Sequence, residues 1–391
     1  MKLAKLSLAA IMTVGAISAA NATSLEEAIK GVDLAGYARY RFEDGNNKDH
    51  TNGYKLELAF TTPVVEDVKL YTRFDAAGAA NNDGSAGNSD AALTFNRVYL
   101  TYTPTKELTV LAGKQGIGAG LDDMSGTGVK VLYTLPVGVT FLAAYFDNLN
   151  YSIDTNGDDV KDTVAYDNAY AAAVIYSSKT LGAKFLYVKG EGTNAFNAFL
   201  TEDSSKATHM LAEVSGGVEM IMAKLQYATA KRSWDDNKAK TIRLGLTGKV
   251  KNFGYKAGFV KNDKSNGNVT LDGADQGDTD LITAGWKTKF NETYAQYFYV
   301  GANATFGKVG VGLDYVSVKD KLSQSEYNDL SPAEQALVSV GDRENQKNEI
   351  AVNASYAMTK KLSTVVKYST MKGVDGGDKR NNFRFEAKYS F

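Results

Sequence analysis

Asn382-Phe-Arg-Phe-Glu-Ala-Lys-Tyr-Ser-Phe391 decides how the rest of this sequence is read. Phe383, Phe385, Ala387, Tyr389 and Phe391 occupy every second position and are apolar, while Arg384, Glu386, Lys388 and Ser390 fill the gaps. A strand points successive side chains to opposite faces, so this segment has one greasy face and one wet face. With an aromatic at its end, it has the form expected of the closing strand of an outer-membrane β-barrel.

The first residues agree. Lys2 and Lys5 flank the start of a small, apolar run over 6–20, and Ala20-Asn21-Ala22 is an A-x-A cleavage site. This is the pattern of a secretory signal peptide. The apolar core is well short of the roughly 20 residues a spanning helix needs. Residues 1–22 are therefore set aside as a signal peptide, and 23–391 are expected to form a single transmembrane β-barrel domain.

Composition narrows the class. Removing Lys2 and Lys5 from the 44 Lys+Arg leaves 42 against 45 Asp+Glu, a mature net charge of -3. That balance excludes a nucleic-acid binder, which would show a basic excess. An exported chain with no cysteine holds no disulfides, so pairing and burial must supply its stability. Mean hydropathy is -0.28, which would hide a barrel from any hydropathy scan because half of each strand is polar.

The alternation recurs. Tyr54, Leu56, Leu58 and Phe60 oppose Lys55 and Glu57; Val68, Leu70 and Phe74 oppose Lys69, Tyr71 and Arg73. Ile242, Leu244, Leu246 and Val250 oppose Arg243, Thr247 and Lys249, and Ile350, Val352 and Tyr356 repeat the theme. One such run fits a soluble sandwich equally well; many of them behind a signal peptide, with no long helix-period segment between, do not. Connectors alternate too. Short turns at 61–67, 104–107, 136–138 and 359–361 interleave with long polar segments at 78–91, 148–163, 190–207, 262–280 and 319–346, the asymmetry of periplasmic turns and extracellular loops. Pro63, Pro104 and Pro136 sit where strands are expected to end.

About nineteen candidate segments emerge, yet a bacterial single-chain barrel needs an even number. Counting inward from both ends, parity breaks between Asn262 and Thr305, where only one downward strand fits and 297–306 is the better candidate. Residues 281–290 are assigned to an extended loop, which leaves about eighteen strands, with sixteen as the alternative. A barrel of that size is too wide for side chains to fill and encloses water. With the apolar face toward lipid, the lumen receives Arg39, Arg41, Lys55, Glu57, Lys69, Arg73, Asp75, Arg97 and Arg243. Each alone is an ordinary solvated strand position; together they are the mixed charge that a pore for hydrated solutes needs.

Several stretches resemble the campylobacterial major outer membrane porins: residues 1–8, Ser18-Ala-Ala-Asn-Ala-Thr23, Leu25-Glu-Glu-Ala-Ile-Lys30, Arg39-Tyr-Arg41, Tyr99-Leu-Thr-Tyr-Thr103, Ala112-Gly-Lys-Gln115, Gly126-Thr-Gly-Val-Lys-Val131 and the terminal Phe391. The resemblance covers roughly the first third and the last strand. It implies a homotrimeric, general-diffusion, mildly cation-selective porin in outer-membrane lipid and lipopolysaccharide. It also implies a third loop, here 116–127, folded inward as the constriction. That loop is shorter than is usual in the family and carries Gly116, Gly118 and Gly120 where bulkier residues stand, so a wider eyelet is expected. Asp122, eight residues before the pore-lining Lys130, falls where relatives have an acidic residue that helps hold a lumenal calcium ion, and Asp123 could substitute for it.

A second calcium signal is independent of that resemblance. Asp154, Asn156, Asp158 and Asp162 present oxygens in the 1, 3, 5, 9 spacing of acidic calcium loops. Asp159 stands where glycine is expected and Ala165 where a bidentate acid should be, so a solvated acidic loop is the alternative reading. Asp272, Asp275, Asp278 and Asp280 are read as solvated. Ser331-Pro-Ala-Glu334 has the form of a capping box and predicts a short helix that compacts the long loop after Val318.

Barrel enzymes need a histidine with acidic or serine partners, and only His50 and His209 are present, neither within a motif. They read as polar surface residues, and no enzymatic function is expected. The expected function is a passive diffusion channel for small hydrophilic solutes and ions, weakly cation-selective. A substrate-specific channel is the rival, and adhesion through the long loops would be an added role.

Overall fold

The structure, a computed structural model, describes residues 31–46, 48–81, 93–118, 120, 124–153, 162–192, 205–218, 220–232, 238–262, 296–321, 344–374 and 378–391. The described residues form β1 (Asp33–Gly45), β2 (Lys48–Val65), β3 (Val68–Asn81), β4 (Thr94–Tyr102), β5 (Leu108–Gly116), β6 (Ser125–Thr134), β7 (Val139–Ile153), β8 (Asp162–Tyr166), β9 (Asn168–Ser177) and β10 (Leu181–Gly192). They continue with β11 (Ser205–Val218), β12 (Ile221–Arg232), β13 (Lys238–Val250), β14 (Phe253–Asn262), β15 (Gln296–Phe306), β16 (Val309–Lys321), β17 (Glu344–Ala357), β18 (Leu362–Val374) and β19 (Asp378–Ser390).

All neighbours are antiparallel, and the quoted terminal segment closes the sheet: β19 pairs with β1 from Tyr37–Ser390 to Gly45–Asn382. β8 and β9 are two halves of one stave, because β7 pairs with β9 along Val139–Phe146 and with β8 along Leu149–Ile153. The barrel therefore has 18 staves, the even number required by parity. Closure of β19 onto β1 leaves the sheet without an open edge, which is the condition for a sheet to span lipid.

β14 pairs directly with β15, from Phe253–Ala304 to Lys261–Gln296, so no stave stands between them. This agrees with leaving 281–290 out of the wall; those residues lie outside the described set. The short connections 66–67, 103–107, 135–138, 178–180, 251–252, 307–308 and 358–361 all fall at one end. Two expectations need correction. Pro63 is not in a turn: β2 runs to Val65, and Pro63 pairs with Lys69 at an irregular register. It lies beyond the last β1–β2 pair, Asp33–Thr61, so its missing N–H removes no bond to β1. The ladders also run further into the long connectors than expected, with β3 reaching Asn81 and β7 reaching Ile153.

The faces sort as the alternation requires. On β13, Arg243 is 3% exposed while Ile242 and Leu244 are 43% and 44% exposed on the convex side that meets lipid. Convex aromatic pairs mark both interfaces: Phe253–Phe306 (6.2 Å) and Tyr389–Phe391 (5.5 Å) near the short turns, Tyr145–Tyr170 (5.3 Å) higher up.

Candidate functional site

The concave face of β19, β1, β2, β3 and β4 is a wall of paired charges. Register places Arg39 opposite Lys388, Arg41 opposite Glu386 and Glu43 opposite Arg384. Arg41 donates from Nη2 and Nε to Glu386 Oε2 at 2.8 and 3.1 Å, and Arg384 Nη2 lies 2.6 Å from Glu43 Oε1. Lys55 Nζ is 3.4 Å from Glu57, which also receives Arg73 Nη2 at 3.2 Å. Arg73 Nε reaches Asp75 at 3.2 Å, and Asn96 donates to the same carboxylate. The ammonium groups of Lys388 and Lys55 sit over the Tyr37 ring at 4.3 and 5.6 Å. Arg97 lies directly beside Arg73 across the β3–β4 ladder, a like-charge pairing made tolerable by the two carboxylates that Arg73 already holds. Most of these pairs are partly exposed, so each contributes only about 0–1 kcal/mol to stability. Their larger consequence is a surface of fixed charge facing the lumen.

The charge continues round the barrel. On β10–β13, Lys184 Nζ is 3.6 Å from Glu213, Gln226 Nε2 donates to Glu213 at 2.6 Å, and Arg243 Nη1 donates to Gln226 Oε1 at 3.4 Å. On β14 and β16, Lys256 Nζ lies 2.9 Å from Asp314 Oδ1.

Between β5 and β6, the described residues Ile117, Gly120 and Met124 lie inside the barrel. Ile117 and Met124 are 0% and 1% exposed, packed with Leu142, Phe146, Leu186 and Leu211. The Ile117 N–H donates to the Met124 carbonyl at 3.1 Å, closing the neck. Lys130 Nζ donates to the carbonyls of Gly116 (2.8 Å) and Ile117 (3.4 Å). Gly120, at φ +109°, lies against Leu211 of β11 and Lys184 of β10; a Cβ there would overlap Leu211 and stand 3.4 Å from Lys184 Nζ. Gly120 thus lies across the barrel interior from β5, against β10 and β11. Ile117, Gly120 and Met124 lie on that side, while Arg97 of the charged wall of β19 and β1–β4 stands close to Gly116.

Arg39, Arg41, Glu57, Arg73, Asp75, Arg97 and Lys130 therefore share one concave face. Lys130 is more than a wall charge, because it fastens the loop. The inward segment is tighter than the expected 116–127: Gly116 ends β5 and Ser125 begins β6. Asp122, Asp123, Asp154, Asn156 and Asp158 lie outside the described residues, as do the acidic residues 272–280, the helix expected at 331–334 and the side chain of His50; of Asp162 only the backbone is described, opening β8. Among the described residues no three metal-binding side chains converge.

His209 is not a surface residue. It is 1% exposed inside the barrel, with Nε2 3.3 Å from Tyr166 Oη. Its neighbourhood was also missed: Leu142, Phe146, Leu186 and Val188 point inward, although the lumen was expected to be polar. A signal existed. Phe185-Leu-Tyr-Val188 is apolar on both faces, as a stave must be when lipid covers one side and a loop the other.

The sequence matches the family model described as Campylobacter major outer membrane protein over residues 1–391. No curated protein matches it. Among solved structures, Pseudomonas aeruginosa OpdQ aligns with TM-score 0.63 at 12% identity, covering 92% of this chain and 98% of that one. Acinetobacter baumannii OccAB4 gives 0.62 at 13%, covering 92% and 97%, and Pseudomonas aeruginosa OccK7 (OpdD) gives 0.58 at 10%, covering 92% and 98%. At these identities the likeness is one of fold.

Proposed function

This chain belongs to the Campylobacter major outer membrane protein family and forms a porin channel in the outer membrane, and on that premise we propose that it is a general-diffusion pore for small hydrophilic solutes and ions with a weak preference for cations. Family and fold indicate a channel rather than an enzyme. One observation carries the general-diffusion reading: on the open wall, most cations have a carboxylate within 4 Å, as in Arg41–Glu386, Arg73–Glu57 and Lys55–Glu57. A hydrated solute passing between the loop and this wall meets alternating charge, with no deep well of one sign to trap it. The cation preference is supported by the mature net charge of -3 and by Asp122 and Asp123 in the constricting loop.

A second reading of selectivity has its own support. On β1–β4 and β19, Arg39, Arg41, Lys55, Lys69, Arg73, Arg97, Arg384 and Lys388 outnumber Glu43, Glu57, Asp75 and Glu386, which favours anions. The reversal potential of the pore in a salt gradient across a planar bilayer separates the two, and an anion-selective sign overturns the first. Sugar uptake into liposomes tests the channel class: rates that fall smoothly with solute size fit general diffusion, and saturation by one substrate fits the rival specific channel.

We also propose export by the signal peptide 1–22, a homotrimer embedded in lipid and lipopolysaccharide, and a structural calcium ion held by Asp122 or by Asp154, Asn156, Asp158 and Asp162. The acidic 1, 3, 5, 9 spacing supports the ion. Chelator added during thermal dissociation of the purified oligomer is expected to lower its midpoint, and an unchanged midpoint counts against calcium.

A further inference from the structure

The lumenal wall of β14–β17 carries an alternation that no charge pairing requires. Across four strands, the residues at one level are Gly254, Asn303, Gly312 and Asn353, each directly opposite the next. The glycines make room for the amides. A Cβ on Gly254 would stand 2.6 Å from Asn303 Oδ1, and one on Gly312 would stand 2.6 Å from Asn353 Nδ2. Both side chains therefore lie flat along the wall instead of projecting into the pore. Among the described residues neither carboxamide has a hydrogen-bond partner in the protein. Beside them lie Ser355, whose hydroxyl makes only a 3.5 Å contact with the Gly310 carbonyl, and the Lys256–Asp314 pair at 2.9 Å. Together these groups line a recess of about 200 Å³ in the half of the lumen nearer the short turns.

We propose that this recess is a solute subsite for a neutral polyhydroxylated molecule the size of one sugar ring. The proposal rests on the channel reading for its access and deepens it. Chemistry selects the ligand. Two carboxamides and a hydroxyl supply donors and acceptors without net charge, matching the paired donor and acceptor character of vicinal hydroxyls. Lys256 and Asp314 already neutralise each other, so a free anion, cation or zwitterion would have to break that contact to bind. A divalent cation finds one carboxylate with an ammonium beside it, which is too few oxygen ligands. The volume lies below the roughly 300–1,000 Å³ of sites for drug-sized ligands, which fits a single ring.

Saturation-transfer NMR on the detergent-solubilised full chain with glucose reads binding independently of conduction. Glucose is expected to receive saturation from the unmodified protein. In the Asn303→Ala/Asn353→Ala double variant its affinity is expected to fall about tenfold, the loss of one to two hydrogen bonds. Gly312→Ala, which displaces the Asn353 amide, is expected to weaken binding in the same direction while leaving both amides present. Absence of binding to the unmodified protein, unchanged affinity in the double variant, or equal binding of the zwitterion glycine betaine would each overturn the assignment. Conductance recorded on the same preparations reports the channel reading separately, so the failure of one is not mistaken for failure of the other.

Discussion

Replacing Lys130 with Met asks how the inward loop is held. The ammonium donates to two carbonyls at the loop's neck, of Gly116 at 2.8 Å and Ile117 at 3.4 Å. The shorter, charge-assisted bond is worth about 1.5–3 kcal/mol, and the longer adds little. Against this stand the apolar anchors Ile117 and Met124, both essentially fully buried, at about 1.5–3 kcal/mol each. The anchors outweigh the clamp, so Lys130→Met is expected to leave the loop inside the barrel but loosen it. A loss of about 2 kcal/mol raises the population of the displaced loop more than tenfold, since 1.4 kcal/mol is a factor of ten. In single-channel recordings the variant should show the native conductance level interrupted by brief excursions to a larger one. Adding Ile117→Ser and Met124→Ser should make the larger level permanent, while thermal unfolding of the barrel barely moves because no wall pairing is lost. A triple variant with native conductance and native noise would refute this account of the constriction.

Other consequences follow from the same geometry. Arg384→Met removes the closer of two guanidinium groups from Glu43, which keeps Arg41 Nη1 at 3.6 Å, so stability should fall by about 1.5–3 kcal/mol in urea titrations of the folded barrel. Arg39→Met, at a more open pair of 3.9 Å, should change it by under about 1 kcal/mol. Neutralising Arg73 and Arg97 together as Gln should shift the reversal potential toward cations, and Glu57→Gln should shift it the other way. Leu313→Lys places a charge on the lipid face and should cost about 2–4 kcal/mol near mid-membrane, whereas Ser355→Lys, facing the lumen, should be tolerated; folding yields into lipid vesicles distinguish them.

Much of this architecture is legible in the sequence, for a physical reason. A stave with lipid on one side and water on the other must alternate, so Phe383–Phe391 and Tyr54–Phe60 announce their faces. Parity, set by the shared side of both termini, then removes one surplus segment. The limits are equally physical. Alternation fails where both faces are apolar, as at Leu142–Phe146 and Phe185–Val188, because a loop rather than water covers the inner face there. Register depends on the partner strand, so the abutting of Arg73 with Arg97 and of Asn303 with two glycines is visible only once strands are paired. The clamp from Lys130 needs the loop's path, which no local pattern encodes. His209 likewise looks like any polar residue until Tyr166 is placed against it.

The chain contains no cysteine, so single substitutions can map the water-filled face without background labelling. Arg97→Cys and Asp75→Cys, on the charged wall, and Leu100→Cys, on the lipid face, would be treated with a negatively charged thiosulfonate reagent during planar-bilayer recording. Rapid modification is expected at positions 97 and 75 with a stepwise change in conductance, and no change at position 100. Modification of Leu100→Cys at the same rate, or of Arg97→Cys with no effect on current, would contradict a water-filled lumen bounded by this wall.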